Sequence, residues 1–150
     1  LEPKNSVEIV HSDFRSFETD EKFQLITGTP PYFRVDFEMN GSKVGKAIIN
    51  QGGMPTAKQS APARCEFRGG IEAYAMAAAR LLDPQHGRFV VCENWLNHDR
   101  VLRAARQSQL RITKRVEVKG RVGRPNLFGV YVMELDPDCG NFECTTVQGI

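Results

Sequence analysis

The chain has 150 residues, 41% hydrophobic and 25% charged, enough for one domain with its own core. No apolar run reaches the roughly 18–20 residues of a membrane span, and no basic-then-apolar leader opens the sequence. A formal net charge of +2 singles out no partner by itself.

Val7-Glu8-Ile9-Val10-His11 alternates apolar and polar residues up to Ser12-Asp13, which predicts a strand. Phe23-Gln24-Leu25-Ile26 predicts a second, stopped by Gly28 and by Pro30-Pro31. Two prolines offer no N–H to a ladder, so a central strand cannot run through them. Residues 34–69 are the least regular part, punctuated by Gly41, Gly45, Gly52, Gly53, Pro55 and Pro62. A loop of that length is usually functional or disordered. Within it, Asp36-Phe37-Glu38-Met39 has the makings of a short extra strand.

From Gly70 the spacing becomes helical. Ile71, Ala75, Ala78 and Leu82 form one apolar stripe, ended by Asp83-Pro84 and Gly87. Arg88-Phe89-Val90-Val91-Cys92 reads as a buried parallel strand. Asp99 is placed to cap a helix through Val101, Leu102 and Ala105. Strands over 110–118 and 127–134, joined by the turn-rich 120–125, complete the pattern, and 136–150 is a tail. Alternating strands and helices imply an α/β fold with a mostly parallel sheet, and the short last connection implies an antiparallel C-terminal hairpin.

Residues 100–124 carry nine cations, Arg100 to Arg124, against the single acid Glu117. Such a block suits RNA, or else forms a solvated helix face and an exposed strand. The four cysteines, Cys65, Cys92, Cys139 and Cys144, have neither CxxC spacing nor a histidine partner. They read as reduced thiols of an intracellular, cytoplasmic protein, with a Cys139–Cys144 disulfide as the lesser alternative. His11, His86 and His98 are too scattered for a metal site.

Open α/β sheets bind ligands at the carboxyl ends of their strands. Two predicted strand ends carry suitable groups. Asp13 can accept a hydrogen bond from an adenine amino group, and Phe14 can flank the ring. The other end is Thr29-Pro30-Pro31-Tyr32-Phe33. An amine conjugated to a ring is planar and weakly nucleophilic. A side-chain acceptor before the prolines and the freed carbonyl of the first proline can hold its N–H groups in line with a methyl donor. An aromatic after the prolines can stack on the planar substrate. The gain is positioning and electrostatics, not covalent chemistry. Tetrapeptides of this kind also occur as a plain Pro-Pro turn with a core tyrosine. The strand before the motif, and the Asp-ended strand before that, favour the chemical reading.

With Val7 to Phe14, Phe23 to Ile26 and Thr29-Pro30-Pro31-Tyr32-Phe33 in this order, the chain resembles class I S-adenosylmethionine-dependent methyltransferases with an Asn-Pro-Pro-Tyr motif. It is most similar to the tRNA (adenine-N6)-methyltransferases that act at position 37 of valine tRNA. Ala63-Arg64-Cys65-Glu66 resembles an Ala-Arg-His-Glu segment of that group, and 110–119 and Asn126-Leu127 resemble its late segments.

The resemblance covers most of 7–135, with 34–69 divergent, and implies the C-terminal part of a Rossmann-like methyltransferase domain. It implies methylation of an exocyclic nitrogen, adenine N6 in an RNA such as tRNA. Guanine N2, a protein glutamine amide, and a catalytically degenerate RNA-binding subunit are the alternatives. The implied cofactor is S-adenosylmethionine, with Asp13 and Phe14 at its adenine. The implied catalytic set is Thr29, Pro30, Pro31 and Tyr32. Phe33, Trp95, Lys114, Arg115, Lys119 and Arg124 are expected on the substrate side. Trp95 can equally be a packing residue.

Two departures stand out. Thr29 replaces the family's Asn, Asp or Ser, which implies weaker catalysis or a different substrate. The glycine-rich loop and the acidic strand end that hold the cofactor's methionine and ribose have no counterpart, since Gly69-Gly70 lacks the Gly-x-Gly spacing. With Leu1 in place of an initiator methionine, that half is expected from an upstream segment or a companion chain.

Overall fold

The computed structural model describes residues 7–32, 35–37, 47–49, 61–136 and 138. Its centre is a four-stranded sheet of β1 (Leu25–Gly28), β4 (Arg88–Asn94), β5 (Leu110–Lys119) and β6 (Asn126–Leu135) in the order β1-β4-β6-β5. A separate antiparallel pair, β2 (Val35–Phe37) with β3 (Ala47–Ile49), lies in the stretch expected to be irregular. The helices are α1 (Ala61–Arg64), α2 (Ile71–Leu81) and α3 (His98–Gln107), with a 3₁₀ turn at Trp95–Asn97.

The sheet is mixed rather than mostly parallel. Only β1 and β4 pair in parallel, with Leu25 opposite Arg88 and Gly28 opposite Val91. The hairpin strand β6 inserts antiparallel between β4 and β5. The hairpin itself was legible in the sequence, but its insertion was not. The turn at 120–125 brings β6 back along β5, and β6 then offers its other edge to β4.

Alternation explains which side is buried. Along β4, Phe89, Val91 and Glu93 are buried while their neighbours are partly open. Along β6, Tyr131 and Met133 point the same way. Ile71, Ala75 and Ala78 of α2 and Val101, Ala104 and Ala105 of α3 pack on this face as one cluster. Each large buried side chain there contributes roughly 1.5–3 kcal/mol. Both long helices therefore cover a single face, and Val90, Cys92, Val130 and Val132 lie half-buried on the other.

Three local expectations change. Residues 7–11 form no strand, because no described strand lies beside them, and Val7 and Ile9 stay exposed. The next strand begins later, at Leu25, although Phe23 still makes a parallel bridge with Leu82. The cap of α3 is Asn97, not Asp99, which lies inside the first turn. Asn97 leaves the helix N–H groups uncapped by its side chain, which is committed elsewhere.

The segment before β1 is tied down by Arg80. Its guanidinium donates to the carbonyls of Phe14, Arg15 and Phe17. This lays Phe14 against Tyr74 of α2, ring centroids 4.4 Å apart. Gly28 is required at the end of β1, since a Cβ there would lie 2.7 Å from Cδ1 of Tyr74. Gly28→Ala is therefore expected to cost about 1–3 kcal/mol by overpacking, read as a lower urea midpoint. An unchanged midpoint would show that Tyr74 moves freely.

Candidate functional site

The chain leaves β1 at Gly28 and enters Thr29-Pro30-Pro31-Tyr32. β4 runs on past its register partner for Gly28, so Cys92, Glu93 and Asn94 lie beside this turn. The Tyr32 hydroxyl donates to Sγ of Cys92 at 3.7 Å. The Tyr32 ring packs against Phe128 of β6, centroids 5.7 Å apart and planes tilted by 43°. Burial, then the contact with Cys92, holds the phenol well above its ordinary pKa. It is a neutral donor and a packing surface, not a base.

Pro30 is buried, whereas the side chain of Thr29 is exposed. Among the described residues neither the Thr29 hydroxyl nor the Pro30 carbonyl has a hydrogen-bond partner. Both residues border a cavity of about 410 Å³ lined by Thr29, Pro30, Pro31, Tyr32, Ala63 and Arg64. That volume falls in the range of small-molecule sites. The four expected motif residues thus come together at one cavity. Arg64 is a cationic wall that sequence reasoning did not assign to the site. The segment Ala63-Arg64-Cys65-Glu66 stands out in the sequence, but nothing in its spacing tells that 63–64 folds back onto the end of β1.

Behind the turn sits Glu93, fully buried. Its Oε1 accepts from the Asn94 backbone N–H at 2.8 Å and from Nδ2 of Asn97 at 3.1 Å. The same Asn97 amide reaches the Tyr32 carbonyl at 3.4 Å. The other oxygen of Glu93 has no partner. Burial, relieved in part by these hydrogen bonds, pushes its carboxyl up to about 7. The burial of Glu93 follows from the inward phase of β4, which runs Phe89, Val91, Glu93.

Further along, Arg100 joins three elements. It contacts Glu66 at 2.5 Å and Glu72 at 2.6 Å. Burial opposes its charge, but the two carboxylates outweigh that and hold its pKa above the ordinary value.

Trp95 does not line the cavity. It stacks on His98, centroids 4.7 Å apart and planes 8° apart, and the Arg115 guanidinium lies 5.6 Å from the Trp95 centroid. Arg115 also meets Nε2 of His98 at 3.3 Å and pairs with Glu117 at 3.0 Å. An arginine only donates, so Nε2 is the acceptor and Nδ1 carries the proton, facing the Tyr131 oxygen at 2.9 Å. Burial and the Arg115 charge lower the His98 pKa and favour this neutral form. Arg115 is thus held internally, while Lys114, Lys119 and Arg124 are exposed without side-chain partners among the described residues. Phe33 lies outside the described residues, as do Cys139 and Cys144.

Asp13 and Phe14 part ways. Phe14 lines a second cavity of about 360 Å³ with Val10, Ile26, Thr27, Tyr74 and Phe89. Asp13 heads a turn and is bound by its own neighbour, Arg15, through Nε at 2.9 Å and Nη2 at 2.5 Å. Those contacts hold the Asp13 carboxyl well below the usual carboxylate range. A ligand would have to displace Arg15 to use it.

Among the described residues no group of His, Cys, Asp and Glu is placed to hold a metal ion, and no helix is long and apolar enough to cross a membrane. No family model matches the chain, and no curated protein matches it.

Proposed function

We propose that this chain carries the substrate side of an S-adenosylmethionine-dependent N-methyltransferase, acting on adenine N6 in an RNA such as tRNA. One observation carries the reading. Thr29 and Pro30, whose hydroxyl and carbonyl have no partner among the described residues, stand at the carboxyl end of a parallel strand and border a cavity beside a held aromatic ring. Ligand sites of open α/β sheets occur at such strand ends. The parallel β1–α2–β4 unit and the closing antiparallel hairpin agree with the C-terminal part of a Rossmann-like domain.

The cavity beside Phe14 and Tyr74 would suit the flat ring of the cofactor's adenine, whereas Asp13 could accept its amino group only after releasing Arg15. Residues for its methionine end are to come from a preceding segment or a companion chain. When bound, S-adenosylmethionine supplies an electrophilic methyl group. Thr29 and Pro30 then accept the two N–H bonds of the target amine and point its nitrogen at that methyl. Tyr32 stacks on an extruded base. Methyl transfer would leave the cofactor as a neutral thioether, while Thr29 and Pro30 would hold the amine as one of its protons passes to water. Arg64 stands where it can balance a nearby phosphate.

The test is transfer of tritiated methyl groups to bulk tRNA by the intact protein. Tyr32→Ala is expected to lower kcat/KM about tenfold to a hundredfold, the worth of one base–aromatic stack. Thr29→Asn should retain activity, and Thr29→Val should lose most of it. Equal activity in all three variants would remove the motif from the chemistry. Labelling of protein in place of tRNA would favour a glutamine amide as substrate.

A further inference from the structure

The β5–β6 hairpin outruns its sheet. β4 pairs with β6 only as far as Asn94 opposite Phe128. The β5–β6 ladder continues to Lys119 opposite Asn126, and 120–125 extend beyond it. The projecting part is exposed throughout, apart from the half-buried Asn126. Val122 at its apex is fully exposed, and Val118 and Leu127 are exposed as well. A turn that packs on nothing is costly to keep in a defined shape, yet this one is built. The Arg124 N–H closes onto the Arg121 carbonyl at 3.2 Å, and Gly123 takes the positive φ of 75° that the turn demands. The turn therefore sets Arg121 and Arg124 on either side of Val122.

Charge is sorted along the arm. Residues 114–127 hold Lys114, Arg115, Lys119, Arg121 and Arg124 against Glu117 alone. Both oxygens of Glu117 are occupied, one by Arg115 at 3.0 Å and the other by Nδ2 of Asn126 at 2.7 Å. Arg115 is also held against Trp95 and His98. Lys119, Arg121 and Arg124 have no side-chain partner among the described residues. The tip is thus a cluster of unneutralised cations on a two-stranded ribbon, with no acid of its own left free.

We infer that the β5–β6 arm is an RNA-backbone clamp, in which Lys119, Arg121 and Arg124 straddle the phosphates of a folded RNA. It rests on the RNA reading above and extends it to a surface apart from the motif cavity. Guanidinium forks suit phosphate oxygens, and a tip without aromatic side chains reads the backbone rather than the bases. Binding is then sequence-tolerant and strongly salt-dependent.

Fluorescence anisotropy of the full chain with a labelled tRNA transcript, between 50 and 200 mM salt, tests it. Lys119→Ala with Arg121→Ala and Arg124→Ala should weaken binding at least about tenfold and reduce the log–log salt slope by about 2. Thermal melting should not change, because all three side chains are exposed. Arg103→Ala with Arg106→Ala, exposed cations on α3, should leave binding unchanged. An equal loss in this control pair would reduce the effect to net charge and overturn the clamp. Equal binding of polyglutamate, or of duplex DNA of the same length, would overturn it too. The assay needs no cofactor. Arm-dependent binding without methyl transfer would leave the clamp standing and remove the enzyme reading. Methyl transfer at sub-saturating tRNA, undiminished in the triple variant, would do the reverse.

Discussion

Arg100→Leu is expected to be the most damaging single substitution in the described core, lowering stability by about 3–5 kcal/mol. Arg100 comes from α3, Glu72 from the first turn of α2, and Glu66 from the segment that leads into α2. The side chains of Arg100 and Glu66 are only 15% and 8% exposed, so neither charge can turn to water when its partner is lost. Leucine would fill part of the volume but leave the Glu66 carboxylate buried and alone. Glu72 is more open, and its share is smaller. In a chain of this length the loss corresponds to a melting point lower by on the order of 10 °C. Adding Glu66→Gln to Arg100→Leu should recover much of that loss, because the stranded charge is then gone. A double variant no more stable than Arg100→Leu alone would assign the loss to packing, not charge. This cluster also sets where the 63–66 segment lies, and hence where Ala63 and Arg64 meet the motif cavity.

Glu93 has the second large effect, and it depends on pH. A glutamate in the unfolded chain titrates near 4.5, whereas burial raises Glu93 in the fold to about 7. Below pH 4.5 the carboxyl is neutral in both states and carries no penalty. As pH rises from there, the unfolded chain gives up the proton while the folded chain keeps it, so unfolding becomes more favourable. The loss levels off above pH 7 at on the order of 3 kcal/mol. Glu93→Gln keeps an oxygen for the Asn94 N–H and the Asn97 amide and removes the charge. The variant should lose the downward trend between pH 5 and 8 and exceed the parent at pH 8. Urea midpoints at the two pH values measure this, and a parallel trend in both proteins would contradict the assignment. The functional link runs through Asn97, whose amide holds both Glu93 and the Tyr32 carbonyl. An ionised Glu93 would pull that amide harder, so the seat of the Pro-Pro-Tyr turn is expected to respond to the same titration.

Much of this was readable locally. The stripe Ile71, Ala75, Ala78, Leu82 marks α2 to within a residue of its observed end. The apolar run from Phe89 marks β4, and the prolines mark the stop after β1, because a residue without an N–H cannot extend a ladder. The closing hairpin follows from two strand-like runs flanking a turn with Gly120, Gly123 and Pro125. Thr29-Pro30-Pro31-Tyr32, adjacent in the chain, border one cavity.

Misreadings have a common cause. The alternation in 7–11 is real, but a strand exists only where a neighbour accepts its hydrogen bonds, and no described strand does. Asp99 has the right chemistry for a cap, yet the helix begins at His98, and Asn97 holds the cap position with its side chain bonded to Glu93 and Tyr32. Arg115 looks like one more basic residue in a basic block, but Glu117 on its own strand, and Trp95 and His98 from the turn and helix before it, engage it.

Local spacing and residue chemistry were thus enough for the existence of the helices, of the main strands and of the proline-terminated strand end, since each depends on neighbours a few positions away. The strand order, the insertion of β6, the burial of Glu93 and the holding of Arg115 by Trp95 and His98 depend on contacts between different elements, as do those of Arg100 with Glu72 and Asn97 with Tyr32. Those contacts form only when elements from distant parts of the chain close over one core, and only the folded chain could supply them.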